Sequence, residues 1–222
     1  MRKKYLKKFL VDSLIIITAI IVTLAVIVHV FPVLSIDVEI SRKIQENGGS
    51  ILLEAMKLIS MFGNAAGLLT TVASASAIFY FFSYRREALF LISTIAVDAA
   101  TLAIKYIVNR PRPDSSLVSI YAKVTDPGFP SGHVVHYTVF FGLIFVFMLR
   151  LKKIPILTRI LISYICLNLI FLVPISRIYL GVHWLTDVIG GYLVGLSFLI
   201  VLLYLYFYPK TLKKLSKRFD IK

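Results

Sequence analysis

The run from Ser13 to Ile36 contains no Asp, Glu, Lys or Arg. About 20 apolar helical residues cross the ~30 Å hydrocarbon core of a bilayer with every backbone group paired inside the helix. A chain that opens this way is expected in a membrane. The preceding segment, Met1 to Leu10, is basic, but no small-residue cleavage site follows it, and the apolar run is longer than the hydrophobic region of a signal peptide. A retained first span is therefore expected in place of a cleaved leader.

Five further runs have comparable character. Together the six expected spans are Leu10 to Phe31, Ala65 to Ser83, Ala88 to Val108, Val134 to Leu149, Leu157 to Ile175 and Thr186 to Tyr208. They are too long for barrel strands and lack period-two alternation. Between the first two, Ile51 to Met61 carries Glu54 and Lys57 three residues apart on one helical face, as an interfacial or partly inserted helix would. The expected fold is all-α: an integral-membrane six-helix bundle with a short interfacial helical segment between the first two spans. No linker or internal repeat divides it, so residues 1–222 are read as one membrane-embedded domain. Cys166, the single cysteine, lies in an apolar run and reads as a packing residue.

The formal net charge of +14 raises the question of nucleic acid, but the basic residues form short clusters between apolar runs. That distribution suits loops beside anionic lipid, and no nucleic-acid partner is expected. If both termini are cytoplasmic, the inner segments hold 17 of the 25 Lys and Arg residues, including Lys8, Arg85, Arg86, Arg150, Lys152, Lys153, Arg159 and the cluster Lys210 to Lys222. Positive charge favours the inside, so the protein is expected to be a multi-pass plasma-membrane protein with cytoplasmic termini.

Three segments at the outer ends of spans three to six concentrate polar groups: Lys105 to Pro113, Pro130 to His133 and Ser176 to Asp187. Ionisable groups at such positions are costly and point to function. Lys105, Arg112 and Arg177 supply three positive charges for a phosphomonoester, which carries about −1.5 to −2 near neutral pH. Arginine offers a planar fork to phosphate oxygens, and lysine a compact charge. Ser131 and Gly132 precede the fourth span, where their backbone N–H groups are expected to face an anion. His183 and Asp187 are four apart, as on one helical turn, so the carboxylate orients one imidazole nitrogen and frees the other for attack. His133 lies on another segment and is placed to protonate a leaving oxygen and then activate water.

In order along the chain, Lys105-(six residues)-Arg112-Pro113, Pro130-Ser131-Gly132-His133 and Ser176-Arg177-(five residues)-His183-(three residues)-Asp187 resemble the tripartite signature of the type 2 phosphatidic acid phosphatase superfamily. No signature position departs from it. The resemblance implies a six-helix membrane phosphatase without cofactor or metal. It further implies catalytic roles for His183 (nucleophile), Asp187 (its orienting partner) and His133 (general acid), with phosphate bound by Lys105, Arg112, Ser131, Gly132 and Arg177. Phosphatidic acid, phosphatidylglycerol phosphate and undecaprenyl diphosphate are the substrates it suggests, cleaved at an extracytoplasmic site. Oligomeric state lies outside what these residues determine.

Plainer readings accompany each residue. Arg110 and Lys123, outside the signature, read as interfacial anchors that extend toward headgroups. His29 and His136 read as structural, and Asp98 as a partner for another polar group or a support for the site. Gly190 and Gly191 allow close helix packing, and Tyr204, Tyr206, Phe207 and Tyr208 form an interfacial aromatic belt. A metal hydrolase lacks a tight ligand cluster among Asp114, Asp126 and Asp187. Transfer of the phosphoryl group to a second lipid would use the same residues, and an anion pathway in a transporter would use Asp98 with the basic cluster.

Overall fold

A computed structural model gives the structure of residues 2–208, all of whose regular elements are helical. The basic residues from Lys210 to Lys222 counted toward orientation lie outside the described residues. The helices are α1 (Arg2–Val30), α2 (Ser35–Gln45), α3 (Ser50–Ser60), α4 (Ala65–Phe81), α5 (Arg85–Ile92), α6 (Thr94–Val108), α7 (Gly132–Arg150), α8 (Ile156–Tyr179) and α9 (Leu185–Phe207), with one 3-10 turn over Met61–Gly63.

Among the described residues, five stretches are long and apolar enough to cross a membrane unaided: Lys8–Val30, Arg85–Val108, Gly132–Arg150, Ile156–Tyr179 and Leu185–Phe207. The sixth expected span is different. At 17 residues α4 rises only about 25 Å at 1.5 Å per residue. It makes a sixth crossing only together with α3, from which it is bent by 61°. The break is built locally, because the Asn64 side chain accepts from the Gly67 N–H at 2.7 Å and so starts α4 afresh. α8 also departs from expectation by running through Pro174 to Tyr179, which puts Ser176 and Arg177 on its last turn.

The expected single interfacial helix is two helices. α3 matches it, while α2 is polar, with Glu39, Arg42 and Lys43 in its sequence, and carries no apolar run that announces it. Tertiary bonds hold α2 over the site end of the bundle. Gln45 donates to the carbonyls of Ser119 and Tyr179 at 2.8 and 2.9 Å and accepts from the Ser119 N–H at 3.0 Å.

α7 is the central helix, with 72% of its membrane window buried against 6% for α1. Val134, Val135, Tyr137, Val139, Phe140, Leu143 and Phe147 fill the core from it. A Cβ on Gly191 would lie 2.9 Å from both the Ser131 carbonyl and Val134, so glycine lets α9 approach the start of α7. Tyr206 leaves the expected aromatic belt: it is buried and donates to Glu87 at 2.6 Å, because a phenol turned inward needs an acceptor. His29 is structural, its Nδ1 meeting the Val108 carbonyl at 2.9 Å and joining the site ends of α1 and α6.

Candidate active site

The site is assembled around two chain reversals at one end of the bundle. α6 ends at Asn109, in the left-handed region at φ 49°, a conformation asparagine tolerates better than most residues. This turns the chain from Lys105, on the last helical turn, into the extended Arg110–Pro113 stretch. Just past the end of α8 the chain turns at Gly181, φ 69°, where a Cβ would collide with the Ser119 carbonyl; only glycine makes this turn without strain. His183 follows in the short link, and α9 begins two residues later.

Asp126 gathers two of the cations. Its Oδ2 lies 2.9 Å from Lys105 Nζ and its Oδ1 2.8 Å from Arg112 Nη2. Burial tends to raise the Asp126 carboxyl, but Lys105 and Arg112 outweigh it and hold the group below its ordinary value. Arg112 also donates to the Asp126 and Val182 carbonyls at 2.6 and 2.5 Å, and its Nη1 stands 3.1 Å from His183 Nε2. Arg177, buried on α8, donates to the Ser60 hydroxyl, while its Nε and the Ser131 hydroxyl are buried without a protein partner.

His183 is fully buried between this cluster and Asp187. Its Nδ1 is 3.3 Å from Asp187 Oδ2, which also accepts the Trp184 N–H at 3.0 Å. The two residues do not share a helical turn as the spacing suggested: His183 precedes α9, and Asp187 caps its first turn. Burial first, then the charges of Arg112, Lys105 and Arg177, push the His183 imidazole well below its ordinary value of 6.5, favouring the neutral ring. His133 stands on the first turn of α7 and lines a cavity together with Lys105, Arg112, Arg177 and His183. Gly63, which the sequence did not single out, makes room for it, since any side chain there would strike the His133 ring.

Two expectations need correction. The Ser131 N–H does not face an anion; it donates to the Asp187 carbonyl at 2.9 Å and ties the start of α7 to that of α9. Arg110 is no headgroup anchor. It is 1% exposed and its guanidinium pairs with Asp37 at 2.7 Å and Asp187 at 2.5 Å, because a charge this deep requires compensating carboxylates. Asp37 was not singled out either; its signal was a carboxylate placed just after the first span. His136 is structural: its Nδ1 meets Asp98 Oδ2 at 3.0 Å and its ring stacks on Phe140. Lys123 and Asp98 line the cavity.

That cavity has a volume of about 1020 Å³. Lys105, Arg112, Asp126, Gly132, His133, Arg177 and His183 are among its polar lining, and Leu58, Met61, Leu68, Ile95, Ala99 and Leu102 supply apolar wall from α3, the 3-10 turn, α4 and α6. Among the described residues, no group of three or more His, Cys, Asp or Glu side chains is arranged to hold a metal ion.

The sequence model of the PAP2 superfamily matches residues 86–211, more than half of the chain and all of the Lys105–Asp187 signature. The chain belongs to the PAP2 superfamily. This PAP2 protein is 30% identical over 199 residues to phosphatidylglycerophosphatase B of Bacillus subtilis (strain 168), covering 88% of this chain and 92% of that protein. The crystal structure of a transmembrane PAP2-type phosphatidylglycerolphosphate phosphatase from Bacillus subtilis superposes with a TM-score of 0.73 at 26% identity, covering 85% of this chain and 93% of that one. Aquifex aeolicus LpxE shares the fold, with a TM-score of 0.61 at 24% identity over 77% of this chain and 96% of its own. The PAP2 protein is thus a multi-pass membrane hydrolase, at family level a lipid phosphate phosphatase. The anion-pathway reading gives way to that membership.

Proposed function

We infer that the protein hydrolyses a lipid phosphate or diphosphate in two steps, through a phosphohistidine on His183 and without a metal ion. One observation carries the reading: His183 turns Nδ1 toward Asp187 at 3.3 Å and Nε2 toward Arg112 at 3.1 Å. The nitrogen opposite the carboxylate therefore lies beside a cation suited to hold the phosphate under attack.

In the first step Nε2 of neutral His183 attacks the terminal phosphorus, and the bond from that phosphorus to the ester oxygen of a monophosphate, or to the bridging oxygen of a diphosphate, breaks as His133 gives that oxygen its proton. Asp187 accepts from Nδ1 and offsets the positive charge that develops on the ring. In the second step water attacks the phosphohistidine, His133 takes a proton from it, and orthophosphate leaves with His183 neutral again. Lys105, Arg112 and Arg177 bind the phosphate oxygens, joined by the Ser131 hydroxyl and the Gly132 N–H. Transfer to a second lipid would differ only in the acceptor of the second step.

The substrate class is supported by a cavity whose lining combines Lys105, Arg112 and Arg177 with apolar side chains from α3, α4 and α6. Phosphatidylglycerol phosphate is the substrate suggested by the Bacillus subtilis relatives; phosphatidic acid presents the same monoester, and undecaprenyl diphosphate a terminal phosphate joined through an anhydride. The positive-inside bias supports a plasma-membrane protein with cytoplasmic termini and an extracytoplasmic site. A panel of these three lipids and a soluble phosphoester, with purified protein and excess chelator, tests the proposal. Phosphate release from lipid in chelator is expected. Activity restored only by a particular metal overturns the metal-free route, and label passed to a second lipid without release makes the protein a phosphotransferase.

A further inference from the structure

Arg110 lies outside the signature and is absent from the cavity wall, yet it is among the most completely buried side chains of the protein. Four bonds from separate parts of the chain fix its plane. Nε donates to the Pro32 carbonyl at 2.9 Å, Nη2 to Asp37 Oδ2 at 2.7 Å, and Nη1 to the Thr186 hydroxyl at 2.7 Å and Asp187 Oδ1 at 2.5 Å. The link after α1, α2 and the first turn of α9 all meet on one guanidinium.

Asp37 completes the arrangement from the other side. Its Oδ1 accepts the Thr186 N–H at 2.9 Å, so a carboxylate 149 residues distant in sequence satisfies a free donor at the start of α9. The turn that follows His183 is thus held by two carboxylates with Arg110 between them. Asp187 in turn divides its oxygens: Oδ1 faces Arg110, and Oδ2 faces the Trp184 N–H and His183 Nδ1. With Oδ1 fixed, Oδ2 cannot rotate away from the imidazole.

We propose that Arg110, braced by Asp37, is a positioning residue that fixes the Asp187 carboxylate against Nδ1 of His183. The proposal rests on His183 being the nucleophile. Arg110 touches no reacting atom; it acts by setting the angle of the carboxylate that sets the angle of the ring. Its planar fork bridges two carboxylates at once, which a lysine ammonium does only in part.

A double-mutant cycle separates this role from a purely structural one. Arg110→Met, Arg110→Lys and Asp37→Asn are each made alone and with Asp187→Asn, and kcat, KM and thermal unfolding are measured on the purified full chain. Arg110→Met is expected to lower kcat on the order of 100-fold, with KM changed by less than about twofold, as misplacement of a reacting group does. Arg110→Lys recovers part of that loss. In the Asp187→Asn background the same changes have little further effect, because the group they position is already altered.

Equal losses in both backgrounds overturn the proposal, as does a raised KM at unchanged kcat, which would make Arg110 a substrate-binding group. Should Arg110→Met not fold, Arg110→Lys and the near-isosteric Asp37→Asn carry the same cycle. His183→Ala is the separate control. Its retained activity would remove the nucleophile reading itself, whereas an inactive His183→Ala with additive Arg110 effects removes only the positioning role.

Discussion

Arg110 and Arg112 are separated by one proline and have the same charge, yet the fold uses them in opposite ways. Arg112 meets Asp126, whose side chain is 28% exposed, and lines the cavity beside His183. Arg110 meets Asp37 and Asp187, both 0% exposed, and has no access to the cavity. One cation is left where an incoming anion can compete for it; the other is locked by carboxylates that nothing reaches. A buried guanidinium with two partners serves the geometry of the protein, and a cation at a cavity wall serves its ligand. Burial and the identity of the counter-charge decide between the two, not residue type.

The largest test of that contrast lies in the residue both arginines approach. His183→Ala is expected to abolish turnover, a loss on the order of 10⁵-fold, with the protein still folded by thermal unfolding; substantial residual activity would refute the nucleophilic role. Arg112→Ala should lower kcat/KM by roughly 100- to 1000-fold, with partial recovery in Arg112→Lys. Its raised KM would set it apart from Arg110→Met in steady-state kinetics, and matching signatures would erase the distinction.

The acid side of the pH profile comes next. Under the proposed mechanism His183 acts when neutral; its affinity for protons is pushed down, so the neutral form persists below pH 6.5. The acid limb of kcat/KM, corrected for ionisation of the substrate, should therefore lie below 6.5 and fall tenfold per pH unit beneath it. A limb at or above that value contradicts the buried, cation-flanked ring. Asp126→Asn frees Lys105 and Arg112 of their shared carboxylate and should make orthophosphate a tighter inhibitor by a few-fold, read as a lower inhibition constant; no change would mean the carboxylate does not compete. Glu54→Gln is the smallest case. Its ion pair with Lys57 joins side chains 70% and 45% exposed, and its loss should change stability by less than about 0.5 kcal/mol in a thermal-unfolding assay.

Much of the candidate site was legible because its motifs are local and their spacing short. Lys105, Arg112, Gly132, His133, Arg177 and His183 all line one cavity, as three motifs at the same ends of neighbouring spans imply. The residues that were missed act across the fold. Asp37 meets its partners Arg110 and Thr186 at sequence separations of 73 and 149, and no periodicity links them. Gly63 matters only because His133 arrives beside it, and Asp126 only because its loop closes over two cations. α2 escaped notice for a different reason: it is amphipathic, with Ile36, Ile40 and Ile44 four apart, but too polar overall to stand out beside the apolar spans.

The sequence by itself determined that this chain lives in a membrane, since uncharged runs of such length have no other low-energy place, and it picked out the residues proposed to handle phosphate. The tertiary structure decided how they are held. It broke the second span at Asn64, turned Tyr206 inward, took the Ser131 N–H for Asp187 and converted Arg110 from an apparent surface anchor into a buried strut. Each of these follows from the same requirement: a polar group carried away from water must find its partner, and that partner is chosen by the packing of distant helices.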